Sequence, residues 1–142
     1  MRIADVLRGK GPAVVTVDPG TSVEALIGEL TRRNLGALVV MQGNAMVGIV
    51  TERDVVHQIH ERGPGVLSAT VGEIMTVAVF TCAPGDTVDS LAATMTERRI
   101  RHLPVLEDGR LVGIVSIGDV VKSRIDELQS ERDQLEAYID RR

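Results

Sequence analysis

The chain carries one stretch twice. Val47-Gly48-Ile49-Val50-Thr51-Glu52-Arg53-Asp54-Val55-Val56 returns 65 residues later as Val112-Gly113-Ile114-Val115-Ser116-Ile117-Gly118-Asp119-Val120-Val121. Between residues 14–56 and 79–121, 17 of 43 positions are identical without a gap. Such a chain folds as two copies of one small unit, and related chemistry is expected at related places in both. Each copy is a β-branched run holding a glycine, then a hydroxyl residue, then an acid three places on that opens an amphipathic segment. That pattern reads as strand, turn, helix.

The rest of each unit follows from the same offset. Residues 13–17 predict a strand, and Asp18-Pro19-Gly20-Thr21-Ser22 a turn and helix cap. Val23, Leu26, Ile27 and Leu30 recur on one helical face, and Asn34 and Gly36 end that helix. Residues 37–41 and 46–50 predict strands joined by a hairpin, with a helix from Thr51 to about Arg62. Gly63-Pro64-Gly65 reads as the linker. The second unit predicts strands over 79–82, 103–106 and 111–115, and helices over 87–99 and from about Ile117. Ahead of each unit stands a short amphipathic piece, Ile3-Ala4-Asp5-Val6-Leu7 and Val71-Gly72-Glu73-Ile74-Met75, here offset by 68 residues. Gly9, Gly11 and Pro12 would supply the longer loop of the first copy.

The fold class is therefore α/β, of the α+β kind: two β-α-β-β-α units, 1–65 and 66–124, and a C-terminal helical extension, 125–142. A three-stranded sheet with both helices on one face leaves its other apolar surface bare. A pseudo-two-fold pair packed sheet to sheet covers both. Val121, Ile125, Leu128, Leu135 and Ile139, running into the extension, keep a 4-3 spacing if Arg132 occupies the missing position. Two readings stand: a helix packed on its own domain or a partner without supercoiling, or a short coiled coil that forms a dimer.

Composition narrows the classes of function. An apolar fraction of 44% in 142 residues supplies a core, and a net charge of −4 argues against a nucleic-acid partner. No apolar run approaches the roughly 18–20 residues of a membrane span, and the first residues do not begin a secretory signal. With a single cysteine, Cys82, these features predict a cytoplasmic protein with no membrane partner. Phe80 and Tyr138 are the only aromatic residues, so a flat ligand must be gripped by aliphatic faces, with Phe80 the one ring near a repeated strand.

These residues resemble a family. Gly-Ile-Val-Thr-Glu-Arg-Asp in one unit, and Arg-Arg-Ile-Arg-His-Leu-Pro-Val followed by Val-Gly-Ile-Val-Ser-Ile-Gly-Asp in the other, are similar to a tandem pair of cystathionine-β-synthase (CBS) domains, a Bateman module of the stand-alone type. The match covers roughly residues 1–124. The resemblance implies a non-catalytic regulatory module that binds an adenosine-containing ligand in clefts between the units, AMP above ADP, ATP, NAD or S-adenosylmethionine. It implies no required cofactor, with Mg²⁺ entering only alongside a polyphosphate. It also implies a homodimer and a regulated partner of unknown identity.

Carried onto this chain, the resemblance makes Asp54 and Asp119 the ribose acceptors and Thr51 and Ser116 the phosphate-side hydroxyls. A helix N-terminus offers free N–H groups to a phosphate, and a short carboxylate accepts two vicinal hydroxyls. The same Ser/Thr-x-x-acid spacing is also a capping box that merely starts a helix. Arg101 and His102 stand before Leu103 and Pro104, where Gly36 and Ala37 stand in the first unit. Arg is a natural phosphate partner; a solvated basic surface is the plainer reading of both. The expected stronger cleft joins Ser116, Asp119, Arg101 and His102 to Val14 and Thr16. The weaker joins Thr51, Arg53 and Asp54 to Val79 and Thr81. Arg98 and Arg99 read as exposed helix-end charges.

Other candidates carry less. His57 and His60 lack a third ligand at a suitable spacing, so no metal site is expected. Cys82 reads as a small buried side chain, with a redox-sensing thiol as the sharper alternative. No nucleophile, metal set or acid-base pair stands at a catalytic spacing. The rival to a nucleotide sensor is a ligand-independent dimeric interaction module acting through its C-terminal helix.

Overall fold

The computed structural model describes residues 1–11 and 13–141; Pro12, placed in the predicted loop, and Arg142 lie outside them. The fold is mixed α/β, with six helices and two small sheets among the described residues. In the first half α1 (Ile3–Lys10) precedes β1 (Thr16–Val17), α2 (Val23–Arg33), β2 (Ala37–Gln42), β3 (Ala45–Thr51) and α3 (Glu52–Arg62). The second half holds α4 (Val71–Ile74), α5 (Val88–Arg98), β4 (His102–Glu107), β5 (Arg110–Ser116) and the long α6 (Ile117–Asp140).

The duplication is visible bond by bond. Ser22 and Thr87 cap α2 and α5 by accepting from the N–H groups of Ala25 and Ser90. Those helices end on Asn34 and Arg99, both left-handed, at φ 53° and 54°. β2 pairs antiparallel with β3, and β4 with β5, in matching registers, each with an irregularity after Val40 or Val105. Glu52 N–H donates to Gly36 O at 2.9 Å, and Ile117 N–H to Arg101 O at 2.8 Å.

The third strand is where the copies part. β1 runs parallel to β2 through Thr16 and Val17 only, whereas the strand expected over 79–82 is reduced to a single parallel bridge between Cys82 and Val105. The cause is Pro104, which stands where Val39 stands in the first half. It has no N–H to extend the ladder toward Phe80. Cys82 keeps its two bonds, N–H to Pro104 O and carbonyl from Leu106 N–H. Residues 13–15 likewise fall short of a strand, and α1 takes in Gly9, which the sequence reading assigned to a loop.

Each core borrows its leading piece from across the chain. Ile3, fully buried, joins Cys82, Val88, Leu91, Met95, Leu103, Val105, Val115 and Val120 in the second core. Its N–H bonds Asp86 O, and Val88 N–H bonds Met1 O. Conversely Val66, Ala69, Val71 and Ile74 join Leu26, Leu38 and Val50 in the first core, with Val23 N–H on Ala69 O. Gly63-Pro64-Gly65 is therefore no free linker. Residues Pro64–Ser68 form a 3₁₀ turn that seats Val66 in the first core, because an apolar residue there has a core to enter. Two glycines permit the crossings: a Cβ on Gly113 would come within 2.5 Å of Leu7, and one on Gly48 within 2.8 Å of Met75.

Candidate functional site

The capping-box reading of the duplicated motif holds in both copies. Thr51 N–H donates to Asp54 Oδ2 at 2.9 Å while Asp54 N–H donates to Thr51 Oγ1 at 3.1 Å. Ser116 and Asp119 repeat the exchange at 2.9 and 3.2 Å. Capping engages Oδ2 of each acid, and the copies differ in what else the carboxylate accepts. Asp54 Oδ1 accepts the Thr76 hydroxyl, at 3.3 Å. Asp119 Oδ2 also accepts an ammonium, Lys10 Nζ, at 2.7 Å. Burial alone would raise the Asp119 carboxyl; the Lys10 and Ser116 hydrogen bonds and the Lys10 charge outweigh it and hold the group below the usual carboxylate range.

A cavity of about 280 Å³ opens on the Asp54 side. That is near the lower end of small-molecule sites, roughly 300–1,000 Å³. Both halves contribute: Gly36, Thr51, Arg53 and Asp54 from the first, Val79, Arg101 and His102 from the second. Ile49, Glu52, Thr76, Ala78, Phe80, Arg99 and Ile100 complete its wall. The start of α3 forms part of the wall, with Glu52 N–H bonded to Gly36 O and Asp54 N–H to Thr51 Oγ1. Arg53, Arg99 and Arg101 bring fixed positive charge to the same space. Phe80 forms an apolar wall and carries the Arg98 guanidinium 4.8 Å from its ring centroid, so Arg98 has a contact beyond its helix end.

Arg101 and His102 thus line the Asp54-side cavity, and His102 also feels the charge of Asp119, with which the sequence groups it. His102 is half-buried beside Gly36, where a Cβ would meet the imidazole at a tight 3.2 Å and the ring would have to give by a few tenths of an ångström. Burial is the main force lowering the His102 pKa. Glu52 and Asp119 pull it up and Lys10 and Arg101 push it down, leaving it below its ordinary value. The ring therefore feels acids of both halves, and its burial favours the neutral form. Ala37, Leu103 and Pro104 are buried within their strands. Thr16 lines an outer groove against α2 with Asp18 and Thr21, Thr81 is exposed, and Val14 is half-buried. None of these six lines the cavity.

Cys82 is buried, with its thiol on Pro104 O at 3.7 Å. Burial, then the Asp86 charge, pushes its pKa up to about 12, so it remains a thiol and a poor nucleophile. No group of three metal-ligating side chains occurs among the described residues, His57 and His60 included.

The sequence profile of the CBS domain matches this chain twice, over residues 4–61 and 71–126. The chain belongs to the CBS domain family. It is 38% identical to a mitochondrial CBS domain-containing protein of Arabidopsis thaliana, CBSX3, over 96% of this chain and 71% of that one. Among solved structures, the CBS-domain protein ATU1752 of Agrobacterium tumefaciens superposes with a TM-score of 0.85 at 43% identity, covering 87% of this chain and 99% of that one. The CBS domain pair of protein MJ0100, solved in complex with 5′-methylthioadenosine and S-adenosyl-L-methionine, gives 0.79 at 26% identity, covering 89% and 98%. The second match ends at residue 126, inside α6, so that helix begins within the matched region and runs on past it. No described helix is long and apolar enough to cross a membrane.

Proposed function

We propose that this CBS pair is a non-catalytic regulatory module that binds an adenosine nucleotide, AMP in the first place, in the Asp54-side cavity. The observation that carries the reading is the make-up of that cavity. A ribose-accepting acid at a helix start, three arginines and an apolar wall at Val79 and Phe80 face one space drawn from both halves. The carboxylate suits vicinal hydroxyls, the arginines suit a phosphate, and the apolar wall suits a base. An uncharged nucleoside such as methylthioadenosine would leave the arginines unused, which favours a phosphorylated ligand. A ligand touching both halves stabilises one arrangement of them by its differential affinity, and that is the signal a partner would read.

Calorimetric titration with AMP, ADP, ATP, NAD and S-adenosylmethionine tests the reading. Saturable binding of a phosphorylated ligand, weakened at least tenfold in Asp54→Ala, is the expected result. Heats that stay flat for all five would leave the interaction module as the better account.

One observation favours a contribution from that second reading. From Leu128 to Arg141 every residue of the chain is exposed, with Leu128, Leu135 and Ile139 among them. A helical segment of that length is marginal alone in water. The 4-3 apolar spacing suits a second copy of the same helix, so the module acts as a homodimer joined through α6. The compartment proposed is the cytoplasm, where a lone cysteine stays reduced.

A further inference from the structure

The two acids of the duplicated motif are held by different donors, and the difference comes from outside the repeat. Lys10 Nζ donates to Asp119 Oδ2 at 2.7 Å and to Ile114 O at 2.8 Å. In the first half the corresponding acceptors take their donors from Thr76. Its N–H reaches Ile49 O at 2.8 Å, and its hydroxyl reaches Asp54 Oδ1 at 3.3 Å. The pieces that carry Thr76 and Lys10 are counterparts, since Met75 packs on Gly48 as Leu7 packs on Gly113. One ammonium therefore serves Asp119 and its strand edge as a backbone amide and a hydroxyl serve Asp54 and its own.

The chemical consequences differ. A hydroxyl at 3.3 Å is neutral, rotates freely and yields to an incoming sugar hydroxyl. A charged donor at 2.7 Å makes a stronger bond, and this pair is partly withdrawn from water, with side-chain exposures of 37% and 20%. A ribose spanning both carboxylate oxygens of Asp119 would meet the lysine on Oδ2 and would have to displace it, leaving its charge with Ile114 O alone. At the 68-residue offset Lys10 corresponds to Ala78, a wall residue of the Asp54-side cavity. Where one half has a methyl group and open space, the other has a lysine seated on the acid.

We infer that Lys10 selects between the two clefts. By pairing with Asp119 it latches that cleft against a ribose and leaves the Asp54-side cavity as the one nucleotide site of each chain. This rests on the nucleotide reading above and adds to it the stoichiometry and the residue that sets it.

The test is a calorimetric titration with AMP of the full chain, Lys10→Met and Lys10→Met/Asp119→Ala, with melting curves to show that each is folded. Lys10→Gln, which keeps a donor without the charge, stands in if the methionine variant does not fold. The wild type should take one AMP per chain, the Lys10 variant two, and the double variant one again. Two sites in the wild type, or one in the Lys10 variant, would overturn the latch while leaving the nucleotide reading in place. A silent wild type beside a Lys10 variant that binds one AMP, lost again in the double variant, would uphold the latch and overturn the Asp54 site. Silence from wild type and variant alike would overturn both.

Discussion

Asp54 and Asp119 occupy the same place in the same motif, and Asp54 opens onto a cavity built from both halves. A charge-assisted hydrogen bond to such a carboxylate is worth about 1.5–3 kcal/mol, so Asp54→Asn should weaken AMP binding roughly ten- to a hundredfold by titration. An unaltered affinity would remove Asp54 from the site. His102 gives a prediction in pH. Its folded pKa lies below its ordinary value of about 6.5, so the unfolded chain takes up the proton first as pH falls. The stability linked to the neutral ring is complete above about pH 6.5 and is lost as pH drops through the folded value. Urea midpoints of the ligand-free protein should fall over that interval, and the fall should be smaller in His102→Gln. An identical slope in both proteins would place the lost stability elsewhere. The duplicated Thr/Ser-x-x-Asp made Asp54 legible in the sequence. Arg101 and His102 were legible as basic residues before a strand but not as neighbours of Asp54. Spacing tells how far they stand from Asp119 along the chain, not which half's cleft they enter. Lys10 was not legible at all, because it lies outside the 65-residue repeat and meets Asp119 only through the packing of α1.

At the level of elements, α6 spans 24 residues, about 36 Å, and its first turns are anchored while the rest is not. Val120 and Ser123 are buried, and Glu127 pairs with the amino terminus at 3.3 Å. Truncation after Glu127 keeps those contacts and removes Leu128, Leu135 and Ile139, the outer part of the exposed apolar stripe. The shortened chain should therefore stay folded and run as a monomer by light scattering behind a sizing column. An unchanged dimer mass would show that α6 is not the joint. The helix itself was plain from its 4-3 spacing. The loss of the strand over 79–82 was not, since its own residues suit a strand and the obstacle is Pro104 on its neighbour. Pairing partners are not printed in local propensity. The 3₁₀ turn after Gly63 was hidden for a related reason. Gly-Pro-Gly marks a break, but it does not say that Val66 behind it is within reach of a core.

For the whole molecule, the decisive fact is that neither core is made from one continuous stretch. Ile3 closes the second core, and Val66 to Ile74 close the first. The chain thus ties the halves together, and the described molecule should unfold in one cooperative step. Ile3→Ala, at a side chain with no exposure, should cost about 2–5 kcal/mol and lower the single transition without splitting it, as read by scanning calorimetry. Two resolved transitions would mean that the halves fold independently. The same tie gives the cavity walls from both halves a fixed relation, which is what lets one bound molecule report on the pair. The most direct measurement of that central claim is a crystal structure of the protein grown with AMP. The ribose is expected on Asp54, the phosphate beside Arg101 and the start of α3, and the base against Val79. AMP seated instead on Asp119, or a cavity left without AMP at saturating concentration, would contradict it.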